Sequence, residues 1–150
     1  MSRKSRSGLL RAIALAAAVA AAACGEKGDP VRQTIDEIVA AGQVRDAQAI
    51  VERLAPDFQA ADGSGRADAE ATLRRYLAAY ERLNVRISDL TIERAAGAAR
   101  ARFRAELSGT PRKIGGLEGI IPRSSTYRFD MRLAPSGEGR WLVTWASWEQ

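Results

Sequence analysis

The segment "RARFRAEL" (residues 100–107) decides how the second half of the chain folds. Apolar side chains occupy its odd-numbered positions, and arginine or glutamate occupies every even-numbered one. The segment "TYRFDMRL" (residues 126–133) alternates in the same way with larger apolar side chains. Because successive side chains of a strand point to opposite faces, each segment predicts a strand with one buried face and one wet face.

Two further segments have a period near two. "VRISDLTIER" (residues 85–94) changes parity at Ser88-Asp89, which predicts a bulge that bends the strand. "WLVTWASWE" (residues 141–149) follows the turn-rich "APSGEGR" (residues 134–140) and predicts the last strand of a hairpin. The glycine- and proline-rich residues 108–125 predict a loop.

Helical patterns precede these strands. Asp29-Pro30 predicts a capped helix start, and Asp46 is expected to cap a second helix that ends at Pro56. A third apolar stripe predicts a helix from Arg66 to Leu83, after a short strand within residues 57–65. The order predicts an α+β domain whose N-terminal helices pack on the concave face of a curved, mostly antiparallel sheet.

The N-terminus has the pattern of a secretory signal. Four basic residues precede an apolar stretch, Ala12–Ala23, which is shorter than the ~20 residues a membrane span needs. Cys24, the only cysteine, follows this stretch and resembles the lipidation cysteine of bacterial lipoproteins. The resemblance implies a signal peptide (1–23), a palmitate-bearing cysteine with a linker (24–30) and a folded domain (31–150). It also implies an envelope location, with Gly25 favouring the outer membrane facing the periplasm.

Composition excludes several classes of site. Removal of the predicted signal peptide takes four basic residues from the 23 and leaves 19, against 18 acidic residues. This nearly neutral balance removes the main support for nucleic-acid binding. The chain has no histidine and one cysteine, so imidazole bases, intrachain disulfides and thiolate zinc sites are excluded. No cofactor or metal is predicted. Lys113, a candidate Schiff-base lysine, lies in a segment typical of an exposed turn.

The order of elements resembles the nuclear transport factor 2-like superfamily, which includes ketosteroid isomerases and many binding domains. The resemblance rests on "RDAQAIVERLAPDF" (residues 45–58), "GRADAEATLRRYL" (residues 65–77) and "GRWLVTWASWE" (residues 139–149). It implies a cone-shaped domain in which helices close a bent sheet over a pocket.

The isomerase pattern transfers only in part. By resemblance, its general-base aspartate falls near Asp62 and its pocket tryptophan at Trp148. Its tyrosine donor falls at Ile38 and its second acid near Thr126, and neither side chain can supply that chemistry. Isomerase activity is therefore not expected.

Candidate pocket residues are an acid and aromatic side chains: Asp62, Tyr76, Tyr80, Phe103 and Trp148. An acid next to glycine is also an ordinary turn residue, and aromatic side chains are also ordinary core. The resemblance implies that Trp148, Thr144 and Ala146 face the pocket, whereas Trp141, Val143 and Trp145 face outward. An exposed Trp145 would favour a homodimer through the sheet.

Arginines share the wet face of two predicted strands and form a candidate basic surface: Arg100, Arg102, Arg104, Arg128 and Arg132. This surface is either a solvated sheet face or a docking site for an anionic envelope partner. Only Glu106 and Asp130 are expected to offset its charge.

Two functions remain open from the sequence besides a dimeric structural subunit that uses the sheet face. The first is a membrane-anchored envelope lipoprotein whose domain binds a small apolar ligand or an envelope protein without catalysis. The second is a pocket enzyme of the isomerase, dehydratase or hydrolase type that uses Asp62. An enzyme is expected to hold Asp62 inside the pocket with a raised pKa, and a binding module is not.

Overall fold

The computed structural model describes residues 28–113 and 120–150, so Cys24 and the predicted signal lie outside the described residues. The described part forms three helices and five strands: α1 (Pro30–Gln43), α2 (Ala47–Val51), β1 (Leu54–Ala60), α3 (Arg66–Ala78), β2 (Tyr80–Ala95), β3 (Ala98–Pro111), β4 (Ser124–Pro135) and β5 (Trp141–Glu149). Among these residues, no helix is both long and apolar enough to cross a bilayer.

Both predicted helix caps are confirmed. The Asp29 carboxylate accepts a 2.9 Å hydrogen bond from the backbone N–H of Val31 and also pairs with Arg94, which fixes the start of α1 against the β2–β3 hairpin. Asp46 accepts from the N–H of Ala49 at the start of α2. These hydrogen bonds satisfy N–H groups that a helix leaves unpaired at its N-terminus.

Two predicted helix ends are wrong. The second helix ends at Val51, and Pro56 lies within β1. The third helix ends at Ala78, and Tyr80 already pairs with Pro111 as the first residue of β2. Leu83 fits the apolar period of α3, but β3 is long enough to pair with it, and backbone pairing across the sheet outweighs the local helical pattern.

The five strands form one sheet in the order β1-β5-β4-β3-β2. Only β1 and β5 run parallel, and the other neighbouring pairs are antiparallel. The register of β2 on β3 shifts between Ser88 and Thr91, and Asp89 has a φ of 55°. The bulge predicted at Ser88-Asp89 is therefore confirmed, and the architecture is the predicted α+β fold with helices on a curved sheet.

The core lies between the helices and one face of the sheet, called here the inner face. On β3 the inner positions 99, 101, 103 and 105 are buried, and the even-numbered positions between them are exposed. These residues pack with Val31 and Ile35 of α1 in the main core cluster. The helices thus cover the face that the alternation predicted to be buried.

The orientation expected for the first half of β5 is wrong. Val143 is fully buried and Trp141 packs against the main core, although both were expected to face outward. The register on β4 shifts at this point, from Arg132 opposite Trp145 to Leu133 opposite Val143. This bulge at Thr144 inserts one extra residue, so that Trp141 and Val143 share the inner face with Ala146 and Trp148. Trp145 faces outward, as expected.

Two glycines differ in the space that a side chain would have at their positions. A Cβ atom at Gly109 would lie 2.5 Å from the Arg82 carbonyl oxygen and 2.8 Å from Tyr80 Cδ1, whereas a Cβ at Gly42 in α1 would meet only Val85 Cγ2 at 3.5 Å. We expect Gly109→Ala to destabilise the domain by about 2 kcal/mol through overpacking against backbone. Gly42→Ala should be neutral or stabilise it by up to about 1 kcal/mol, since alanine favours helix. Urea unfolding midpoints measure both, and equal midpoints for the two variants would contradict the close approach at Gly109.

Candidate functional site

A cavity of about 360 Å³ lies between the helices and the inner face of the sheet. The helices contribute Ile35, Ile38 and Leu73, and the sheet contributes Phe103 and Met131 among other apolar side chains. The lining includes small side chains where the core could have held larger ones: Ala69 on α3, Ala105 on β3 and Ala146 on β5. These alanines leave the inner face incompletely filled beneath the helices.

Exposed lining residues mark the opening of the cavity. Asp62, Thr72 and Trp148 line it and are exposed, Trp148 to 44%. The Trp148 ring lies 6.4 Å from the ring of Phe129, which stacks on Phe103 at 5.2 Å. A row of aromatic rings therefore leads from the opening into the interior.

Asp62 lies at this opening and is held as a turn residue. Its carboxylate accepts 2.6 Å and 2.9 Å hydrogen bonds from the hydroxyl and the backbone N–H of Ser64. These hydrogen bonds lower the pKa of Asp62 below its ordinary value. A general acid or base working near neutral pH needs a raised carboxyl pKa, so the feature expected of an enzyme using Asp62 is not present.

Two tyrosines line the cavity beside the polar residues Asp62, Ser64 and Thr72. Tyr76 of α3 and Tyr127 of β4 both line it. The Tyr76 hydroxyl is buried and makes no hydrogen bond with any described residue. Burial raises its pKa, and the nearby hydroxyls of Tyr80 and Tyr127 raise it further. The group is therefore a neutral phenol at physiological pH.

The structure places four of the five candidate pocket residues in the lining. Tyr80 lies next to the cavity instead, in a second core cluster with Leu77 and Leu83. Its hydroxyl donates a 2.9 Å hydrogen bond to the Pro122 carbonyl, and its ring lies 5.4 Å from that of Tyr76. Tyr80 is thus a packing residue that supports Tyr76.

Tyr127 was not among the candidate pocket residues. The alternation of "TYRFDMRL" places it on the same face as Phe129 and Met131, so the signal for its inward orientation is present in the sequence. The two positions that correspond to the isomerase's tyrosine donor and second acid, Ile38 and Thr126, carry neither group. Ile38 lines the cavity with an apolar side chain, and Thr126 is exposed opposite Glu106 on the other face of the sheet.

The described residues contain no cluster of three or more acidic, histidine or cysteine side chains that could hold a metal ion. Within the described lining of the cavity there is no lysine or arginine, and Asp62 is its one charged side chain. The cavity can therefore enclose an apolar body and offer it hydroxyl groups. It cannot neutralise a buried anion.

The outer face of the sheet carries the predicted arginines, and acidic partners hold four of them. The ion pairs join Arg100 to Asp130, Arg102 to Glu93, Arg104 to Asp89 and Arg128 to Glu149. The expectation that only Glu106 and Asp130 offset this charge is wrong, because β2 and β5 bring in further carboxylates. The face is a lattice of exposed ion pairs, which matches a solvated face better than a continuous basic strip.

Trp145 lies on the same outer face and is half-buried beneath Arg132, whose guanidinium carbon lies 4.7 Å from the ring centroid. The exposed large apolar residues of the described chain are Val44, Ile120 and Trp148. None of them lies on the outer face of the sheet, so a homodimer through this face stays a prediction.

Comparisons with known proteins identify the fold. No family model matches the sequence, and no curated protein matches it. Solved structures match well. A Novosphingobium aromaticivorans protein provisionally assigned as a scytalone dehydratase has a TM-score of 0.67 and 11% identity over 80% of each chain.

Two similar structures carry the superfamily name. A nuclear transport factor 2-like superfamily protein from Salmonella enterica serovar Typhimurium has a TM-score of 0.63 and 16% identity, over 79% of this chain and 87% of that one. A nuclear transport factor 2-like protein of unknown function from Pseudomonas putida has a TM-score of 0.62 and 20% identity, over 79% and 82%. The chain therefore has the nuclear transport factor 2-like fold that its sequence predicts.

The pKa of Asp62 distinguishes a carboxylate that only lies at the opening of the cavity from one that acts as a general acid or base. We expect its carboxyl group to titrate below its ordinary range when followed by ¹³C NMR. Ser64→Ala removes the 2.6 Å hydrogen bond and should raise the pKa part of the way back, because the Ser64 backbone N–H still donates. Ser136→Ala, in the β4–β5 turn, should leave it unchanged. A carboxyl titration near neutral pH would contradict this arrangement.

Proposed function

We propose that this domain binds a small apolar molecule in the cavity under its helices and does not catalyse its conversion. One observation carries the proposal: a cavity of about 360 Å³ with a mostly apolar lining lies between the helices and the inner face of the sheet. Ligand pockets commonly measure about 300–1,000 Å³ and are mostly apolar with a few polar groups. The Trp148 side of the cavity supplies a route of entry.

The absence of catalysis is proposed on the chemistry of the lining. Within the described lining, Asp62 is the one carboxylate, and it is exposed, with hydrogen bonds that favour its ionised form. General acid–base catalysis needs a group of matched pKa within reach of the reacting atoms. Similarity to a protein assigned as a dehydratase extends to the fold alone at 11% identity.

We also propose that lipid on Cys24 anchors the domain in the bacterial envelope, at the outer membrane. The support is the sequence that leads to Cys24 and the Gly25 that follows it. The way the chain enters the fold then sets how an anchored domain is oriented. Asp29 pairs with Arg94, whose guanidinium lies over the Trp141 ring at the start of β5. Trp148 stands at the other end of the same strand. An anchored domain would thus hold the opening of its cavity away from the membrane.

The cavity can be tested by filling it. Ala105 is buried on the inner face of β3 and lines the cavity, whereas Ala98 is exposed at the start of the same strand. We expect N-phenyl-1-naphthylamine, an uncharged apolar fluorophore, to bind the wild-type protein saturably. Ala105→Leu should weaken this binding about tenfold, since the added carbon atoms occupy the ligand's space, and Ala98→Leu should not change it.

Circular dichroism and urea midpoints are measured as controls to check that each of the three leucine variants is folded. Ala69→Leu fills the cavity from α3 instead of the sheet and should act in the same direction. Binding that is equal in all four proteins would place the fluorophore elsewhere and contradict the proposal.

The anchor is tested in bacterial cells that are fed labelled palmitate. Cys24→Ser should abolish labelling and release the protein from the membrane fraction, because stable anchoring requires acyl chains. Gly25→Asp is the matched control: it should remain labelled while its distribution shifts toward the inner membrane. Persistent labelling of Cys24→Ser would refute lipidation, and an unchanged distribution of Gly25→Asp would refute the outer-membrane address.

A further inference from the structure

The two layers of the domain carry net charges of opposite sign. Residues 29–79, which hold the three helices and β1, contain nine carboxylates and six arginines. Residues 80–150, which hold β2 to β5, contain eight carboxylates and twelve basic residues. A negatively charged surface would therefore attract the strands and repel the helical layer.

The arginines on the outer face of the sheet are only partly neutralised. Arg86 and Arg132 make no ion pair with any described residue. Arg104 and Arg128 hold their carboxylates loosely, at 3.7 Å and 3.5 Å. The register also places Arg104 directly opposite Arg128, and Arg100 directly opposite Arg132. Like charges in directly opposite positions destabilise a sheet, so a phosphate bound between two such guanidinium groups would relieve the repulsion.

The chain enters the fold close to one of these arginine pairs. Asp29 pairs with Arg94, which lies one position along β2 from the row that contains Arg100 and Arg132. Cys24 lies five residues before Asp29, and an extended linker of that length spans at most ~18 Å. A lipid on Cys24 would therefore keep this end of the outer face within reach of lipid headgroups.

Trp145 continues the same row on β5. It lies opposite Arg132 and beneath its guanidinium group. Tryptophan is favoured at the level of the headgroups in membrane proteins, because its ring has an apolar body and a polar N–H. This end of the outer face thus combines an unpaired cation with an interfacial aromatic ring.

We propose that the outer face of the sheet lies against the anionic phospholipids of the leaflet that holds the Cys24 lipid. This inference rests on the proposed anchor and specifies what the anchored domain contacts. The two opposed arginine pairs, Arg100 with Arg132 and Arg104 with Arg128, bind lipid phosphates. The ion pairs already on this face are exposed and weak, so lipid phosphates can replace their carboxylates. The helical layer then faces away from the membrane.

Labelling of introduced cysteines measures which layer faces the bilayer. The lipidated protein is purified from membranes and reconstituted into phosphatidylcholine vesicles, with or without about one third phosphatidylglycerol. Ser88→Cys places a thiol on the outer face, opposite Arg104. Ala71→Cys places one on the exposed side of α3. Lipidated Cys24 has no free thiol to react.

We expect maleimide-polyethylene glycol to react about tenfold more slowly with the Ser88→Cys thiol on anionic vesicles than on neutral ones, because attraction to anionic lipid holds the outer face down. The Ala71→Cys thiol should react equally on both. Salt at about 0.5 M should remove the protection, since it screens charges in water.

Paired substitutions test the arginines themselves. Arg104→Gln with Arg128→Gln, in the Ser88→Cys protein, should make the thiol react equally on both kinds of vesicle. Arg74→Gln with Arg75→Gln is the matched control, because it removes the same charge from exposed positions of α3. This control should keep the protection. Circular dichroism checks that both variants are folded.

The remaining outcomes separate this inference from the anchor. Equal reaction of the Ser88→Cys thiol on both kinds of vesicle overturns the inference, and flotation of the protein with vesicles at about 0.5 M salt retains the anchor. Slow reaction at Ala71→Cys places the helical layer on the bilayer and overturns the inference. Protection on neutral vesicles that disappears when the protein is diluted into excess lipid assigns the face to a second copy, which also overturns it. Failure to float contradicts the Cys24 anchor and overturns both.

Discussion

The antiparallel pairing of β3 with β2 on one side and β4 on the other is the constraint on which the domain depends. Along β3, Phe103 lies opposite Phe129 and Ala105 opposite Tyr127, and the apolar side chains from Ala99 to Leu107 all fall on the inner face. A slip of one residue would turn that entire face to water. The helices can close the domain only because this register holds one continuous apolar surface beneath them.

The same register creates the cavity. The inner positions 99, 101 and 105 of β3 carry alanine around Phe103, and Ala105 lines the cavity that the helices cover. The bulges at Asp89 and Thr144 keep β2 and β5 on this curved surface, and the second one brings Val143 and Trp148 to the same face. A core of larger side chains at the alanine positions would have filled the space.

Charge is distributed by the same alternation. The even-numbered positions of β3 place arginines on the outer face, where carboxylates from β2, β4 and β5 pair with them in water. The inner face receives hydroxyl groups but no basic side chain among its described lining residues. Asp62 stays at the rim because its turn holds it there. The interior is therefore mostly apolar, with the Tyr76 and Tyr127 side chains in its lining.

The sequence by itself determined the fold class, the helix caps at Asp29 and Asp46, the bulge at Ser88-Asp89 and the inward faces of β3 and β4. Each of these follows from local chemistry or from a period of two. It misplaced the end of α3 at Leu83 and the orientation of Val143, because β3 and β4 impose partners and registers that no local pattern records. Only the tertiary structure decided that Asp62 lies at the opening of the cavity and that the Tyr80 hydroxyl donates to the Pro122 carbonyl. It also decided that the Tyr76 hydroxyl is buried without a hydrogen-bond partner among the described residues. Hydrogen-bond partners and empty space are properties of segments distant in the chain, and they exist only once those segments have packed.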